Sequence, residues 1–168
     1  SPPVMSDWKA YFTLQWKEAF GIDLEVNSRV IQIYDHLSER QTPRGIISFI
    51  NEFVSIKQIT KNTIPDEYIA LFIFGKNKIA SDPNEIITPT YIIGVDFLYK
   101  NDEDLPKFTS ALFYQLPPEK ALDVVYVDKI RKALDTNNQE DLQQMSKLAI
   151  FDRLLENALP NVSNIPNA

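Results

Sequence analysis

Apolar residues recur at helical spacing in one short segment after another, and prolines and capping residues mark where each segment begins and ends. From about Asp7 to Phe20, Trp8, Tyr11, Phe12, Trp16, Ala19 and Phe20 fall on one face. Ser6 is the expected cap and Gly21 the expected stop. A second helix is expected from about Ser28 to Arg40, with Val30, Ile31, Ile33, Tyr34 and Leu37 as its stripe. The third runs from Thr42 to near Thr60, with Ile46, Ile47, Phe49, Ile50, Phe53 and Val54 as its apolar positions. Thr42 suits the cap, and Pro43 suits the first helical position, where its missing N–H would be unpaired anyway.

Pro65-Asp66-Glu67 opens a fourth helix with carboxylates in the positive first turn. Its body, Tyr68 to Phe74, is apolar all round. Periodicity alone also allows a buried strand; the proline-acidic opening and Ala70 favour a central buried helix. A proline-marked stretch from Asp82 to Pro89 leads to an expected helix through Tyr91, Ile92, Val95, Phe97 and Leu98. The acidic turn Asn101 to Asp104 starts a helix through Phe108, Ala111, Leu112 and Phe113. Pro117-Pro118-Glu119 starts another through Ala121 to Val125, and a short helix with Ile130 and Leu134 follows. The last is expected from Gln139 to Leu159, closed by Pro160. No alternating run reads as a strand, and no period repeats.

The pattern therefore predicts an all-α fold, an irregular bundle of about eight to ten short helices. A boundary near Lys76 to Thr90 is expected to divide two lobes. Residues 1–80 would form an N-terminal lobe carrying the Thr-Pro-Arg helix, residues 81–160 a C-terminal lobe, and residues 161–168 a polar tail.

Composition narrows the function. The chain has 168 residues, 44% hydrophobic content and a net charge of −6. That suffices for a real core, and the acidic balance without a basic run argues against nucleic acid as the main partner. There is no cysteine, which removes disulfides, thiolate catalysis and cysteine metal sites, and fits a cytoplasmic protein. No apolar run is long enough to span a bilayer. The chain opens on Ser1 rather than Met, so a piece of a longer protein is expected.

Little in the chain points to chemistry. Gly21, Gly45, Gly75 and Gly94 are far apart and none precedes Lys-Ser or Lys-Thr, so no phosphate-binding loop is present. His36, the single histidine, stands beside Asp35 without a serine or cysteine nucleophile and reads as a surface or capping residue. Asp102, Glu103 and Asp104 resemble a metal cluster but read better as dipole-complementing caps. Trp8, Tyr11, Phe12 and Trp16 have the spacing of a core face. Asn161-Val162-Ser163 matches a glycosylation acceptor, with nothing else suggesting secretion. Arg44 is the exception. It sits in the first turn of a helix, where the dipole gives a cation no help. Two readings stay open: an anion contact, or a surface arginine paired with Glu39 or Glu52.

Thr42-Pro43-Arg44 followed by Phe49-Ile50-Asn51-Glu52 resembles the T/N-P-R-x(4)-F-[IL]-N pattern of the helical region after the ATPase core in KAP-like bacterial P-loop NTPases. The likeness extends through Ile64-Pro65-Asp66-Glu67-Tyr68-Ile69-Ala70-Leu71, similar to an "IP-x-x-YIAL" helix, and on through Phe97 to Leu105 and Leu116 to Leu122. The resemblance implies a non-catalytic lid or regulatory region, with Arg44 as a nucleotide sensor and Thr42, Pro43, Phe49 and Asn51 supporting its helix. It implies ATP and magnesium only together with a nucleotide-binding core outside this chain. The core would then be a partner, and further protein partners are expected. The other reading is a stand-alone helical interaction module; an unrecognised hydrolase has little support without a nucleophile–base pair.

Overall fold

The computed structural model describes residues 7–146, and within them the chain is entirely helix, turn and loop. Seven α-helices follow one another: α1 (Trp8–Phe20), α2 (Ser28–Leu37), α3 (Pro43–Ile59), α4 (Asp66–Ser81), α5 (Asp104–Tyr114), α6 (Pro118–Asp135) and α7 (Gln139–Met145). Two short 3₁₀ turns, Pro83–Ile86 and Asp96–Leu98, lie between α4 and α5. The all-α expectation holds among the described residues, with fewer helices than expected. None of these helices is long and apolar enough to cross a membrane.

Local signals place most boundaries. Gly21 ends α1 at φ 111°, with its N–H donating to the Lys17 carbonyl. The position flanking the start of α1 is Asp7, which makes no side-chain cap bond; Ser6 lies outside the described residues. Asn27 caps α2 by accepting from the Arg29 N–H at 2.8 Å. That helix stops at Leu37 rather than Arg40, because Ser38 turns to extended backbone.

Two departures account for the lower helix count. The helix expected through Tyr91 to Leu98 is a series of turns ending in one 3₁₀ turn. Pro89 interrupts the backbone ladder, and Gly94 takes φ 107°, a left-handed conformation no helix continues through. The two helices expected over Pro118 to Leu134 are a single helix, α6. Asp128 pairs with both Arg131 and Lys132 across the expected break. The residues from 147 onward of the expected last helix, the polar tail and Asn161-Val162-Ser163 lie outside the described residues.

One buried cluster runs from Trp8 to Ala121 and so includes residues on both sides of the boundary expected near Lys76 to Thr90. Trp8, Phe12 and Trp16 of α1 meet Tyr34 of α2 and Phe49 and Phe53 of α3 through closely spaced rings. In α4, Tyr68, Ile69, Ala70 and Leu71 are all buried, as the all-round apolar pattern of that segment requires. A smaller cluster joins Tyr126, Ile130 and Ala133 of α6 to Met145 of α7, so α7 folds back along α6.

Gly75 explains how the turn region is held. A Cβ at this position of α4 would stand 2.5 Å from the Tyr91 ring. The ring occupies the space a side chain would fill, which seats the segment after Pro89 directly on the α4 backbone. Glu85 closes the same turn: its carboxylate accepts from the Thr90 N–H at 2.7 Å and from the Thr90 hydroxyl at 2.8 Å.

Candidate functional site

The Thr-Pro-Arg start of α3 is built as its residue types dictate. The Thr42 hydroxyl accepts from the Gly45 N–H at 3.1 Å, and Pro43 occupies the first turn. Gly45 allows a close approach: a Cβ there would lie 3.0 Å from Thr42 Oγ1 and 3.4 Å from the Tyr34 hydroxyl oxygen. Ile46, Phe49, Ile50 and Phe53 are buried along the inner face of α3. The Phe49 ring sits 5.0 Å from Tyr34 and 5.5 Å from Phe74, centroid to centroid, so it ties α3 to both α2 and α4.

Arg44 projects from this anchored turn and is exposed. Among the described residues it has no ion-pair partner. Of the two carboxylates open to it in the sequence, Glu52 is paired with Lys76 of α4 instead. Asn51 lies two turns further along α3 and is exposed. Thr42, Pro43 and Phe49 are thus brought together around the start of α3, while Arg44 and Asn51 face solvent. Beside this turn a groove of ≈ 600 Å³ is lined by residues that include Ser38, Glu39, Arg40, Ser48 and Glu52.

The other candidates fall into structural places. His36 is exposed at the end of α2, with Nδ1 2.8 Å from the Gln32 carbonyl oxygen. Asp102 accepts from the Asp104 N–H at 2.9 Å, which orders the entry to α5. Among the described residues no group of histidine and acidic side chains is arranged to hold a metal. Trp8, Phe12 and Trp16 are core, and Tyr11 packs partly buried against it.

A polar network that the sequence does not announce joins the starts of α2 and α4 to the chain entering α5. The Tyr68 hydroxyl donates to Asp102 at 2.8 Å, and the Tyr99 hydroxyl donates to Glu67 at 2.9 Å. Arg29 lies 3.9 Å from the Glu67 carboxylate, with its guanidinium carbon 5.8 Å from the Tyr99 ring centroid. Burial, reinforced by the acceptor carboxylates, pushes both phenols above their ordinary range. Burial alone would raise the Glu85 carboxyl as well. The hydrogen bonds from Thr90 and the nearby Lys78 outweigh it and hold that group below its ordinary value. Only the acidic turn at Asn101 to Asp104 hinted at any of this; a phenol partner 34 residues away leaves no local signature.

Comparison with protein-family models, with characterised proteins and with solved structures finds no match.

Proposed function

We propose that the chain is the non-catalytic C-terminal helical region of a cytoplasmic P-loop NTPase, acting as a lid or regulatory element on a nucleotide-binding core outside this sequence. Arg44 is the residue that would reach the nucleotide phosphates. The observation that supports this is an exposed guanidinium, without an ion-pair partner among the described residues, on a first turn that is otherwise tightly anchored. A guanidinium presents a planar fork to phosphate oxygens and stays charged at any physiological pH. The rigid support from Thr42, Pro43 and Phe49 keeps its position defined while leaving its tip free. The core would hold ATP and magnesium; the present residues supply neither a glycine cradle nor an acidic magnesium site.

The test uses the longer protein. Arg44→Ala should reduce nucleotide turnover there while leaving the stability of the isolated chain nearly unchanged. Unaltered turnover in the longer protein refutes the assignment, and so does an upstream sequence without a glycine-rich lysine loop. The second reading, a stand-alone helical interaction module, draws on a separate observation: Ile47 and Ile59 of α3 are exposed.

A further inference from the structure

Between the turns after α4, the entry to α5 and the side of α6 lies a cavity of ≈ 380 Å³. Its charged lining residues are Asp102 and Glu103, and no lysine, arginine or histidine lines it. Two other cavities mix the signs: Asp82 and Asp128 share one with Lys129 and Lys132, and Asp66 shares another with Lys57 and Lys61. The bases close to the acidic stretch are directed elsewhere. Lys100 and Lys107 flank it in sequence without lining the cavity. Arg29 lies 3.9 Å from Glu67 and does not line it either.

Two acids alone would mark no site, but Tyr126 of α6 lines the same cavity and is only 8% exposed. The hydroxyls of Tyr68 and Tyr99 each bond a carboxylate; among the described residues the Tyr126 hydroxyl bonds nothing. Burial and then the Glu103 charge raise the Tyr126 phenol above its ordinary value, so its polar end lies in the field of that carboxylate. A largely buried hydroxyl without a partner costs free energy that a ligand donor would recover. Glu103 likewise makes no hydrogen bond or ion pair among the described residues. Asp102 accepts one bond on each oxygen, from the Tyr68 hydroxyl and the Asp104 N–H, which leaves a lone pair on each.

We propose that this cavity binds a small primary alkylammonium ion, its N–H groups shared among Asp102, Glu103 and the Tyr126 hydroxyl oxygen and its short chain set against the apolar wall. A primary ammonium is a compact charge with three donors, and three acceptors stand open here. Ile86, Ile92 and Leu105 supply the apolar wall, and the Tyr99 ring adds a face that favours cations. A metal ion suits the cavity less well, because among the described residues no three histidine or acidic side chains are grouped to hold one. The volume is near the lower end of the range for ligand pockets, about 300–1,000 Å³, which fits a small amine. Arg44 does not line the cavity, so the inference stands apart from the nucleotide reading.

The test titrates n-butylammonium into the isotopically labelled full chain near neutral pH, at constant ionic strength, and follows backbone and side-chain NMR shifts. Saturable shifts should centre on Tyr99, Asp102, Glu103 and Tyr126. Butanol, which lacks the charge, and tetramethylammonium, which lacks the N–H groups, should each bind about fivefold more weakly or worse. Glu103→Gln and Tyr126→Phe should each weaken butylammonium about fivefold, whereas Glu119→Gln, at an exposed acid outside the cavity, should leave it within about twofold. Glu103 is exposed and the Tyr126 exchange keeps the ring, and circular dichroism checks that both variants fold. Absence of saturable shifts overturns the proposal, as do shifts centred elsewhere or binding that ignores both variants. Equal binding of butanol would make this an ordinary apolar cavity, and equal binding of tetramethylammonium would remove the role of the hydroxyl; either refutes it. Displacement of butylammonium by an equal concentration of magnesium would assign the carboxylates to a metal and also overturn it.

Discussion

Replacing Gly75 by alanine should destabilise this protein, although alanine is the better helix former. In an open helix interior the exchange gains roughly 1 kcal/mol. Here the new methyl would stand 2.5 Å from carbons of the Tyr91 ring, well inside van der Waals contact. Neither side can yield cheaply. Gly75 is fixed in the middle of α4, and the Tyr91 ring is mostly buried, its hydroxyl enclosed without a hydrogen-bond partner that meets ordinary geometry. Overpacking of this kind costs about 1–3 kcal/mol, enough to outweigh the helix gain in most of that range. We expect a net loss of up to about 2 kcal/mol, read as a lower urea midpoint at constant slope. The decisive comparison is with Tyr91→Ala, which removes the ring. In that background Gly75→Ala should become stabilising by up to about 1 kcal/mol, because only the helix preference remains. A stabilising Gly75→Ala in the wild-type background would refute the reasoning, as would a loss that persists without the ring.

Four further outcomes follow from the structure. Arg44→Ala should change the melting free energy of the isolated chain by no more than ~0.5 kcal/mol, since the side chain is exposed and has no ion-pair partner among the described residues; a loss of several kcal/mol in thermal melts would make it a structural residue. Glu85→Gln should cost stability above the unfolded carboxyl value of about 4.3 and progressively less below it. The folded carboxyl lies below its ordinary value, so its contribution is present at neutral pH and lost as pH falls; denaturation of both proteins at pH 7 and pH 3, which should give a difference only at the higher, checks this. Tyr68→Phe should cost about 1–3 kcal/mol through the lost hydrogen bond to a carboxylate, measured by urea denaturation near neutral pH. The wild type should also lose stability as pH climbs above about 10, where unfolded phenols ionise and the raised Tyr68 and Tyr99 resist.

The helical segments up to Ile59 were legible because caps and stops act locally. Thr42, Pro43 and Gly21 each work within a few residues. The α4 segment was legible for a different reason: an unbroken apolar run opened by Pro65-Asp66-Glu67 leaves a central helix as its best use. The turns after Pro89 were misread because Tyr91, Ile92 and Val95 are apolar at helical spacing. Their burial comes from packing on Gly75 and α4, which no local pattern encodes. The continuity of α6 was missed; Asp128 pairs with Arg131 and Lys132 along the helix surface across the expected break. At the candidate site, the cap and anchoring of α3 could be read from its sequence. The pairing of Glu52 with Lys76, which leaves Arg44 exposed without it, could not, because it depends on how α3 meets α4.

The phenol–carboxylate pairs also bear on the order in which the chain assembles. Tyr68 and Asp102 are separated by 34 residues, and Glu67 and Tyr99 by 32. Closing such loops requires entropy to be lost before either bond can form. The ring contacts that gather α1 to α4 close loops just as long, but these two bonds also wait until the segment after Pro89 has settled across Gly75. Both pairs should therefore be unformed at the folding barrier. Removing either hydroxyl would leave the folding rate almost unaltered and hasten unfolding, so the network acts as a late clasp that sets how long the finished bundle persists.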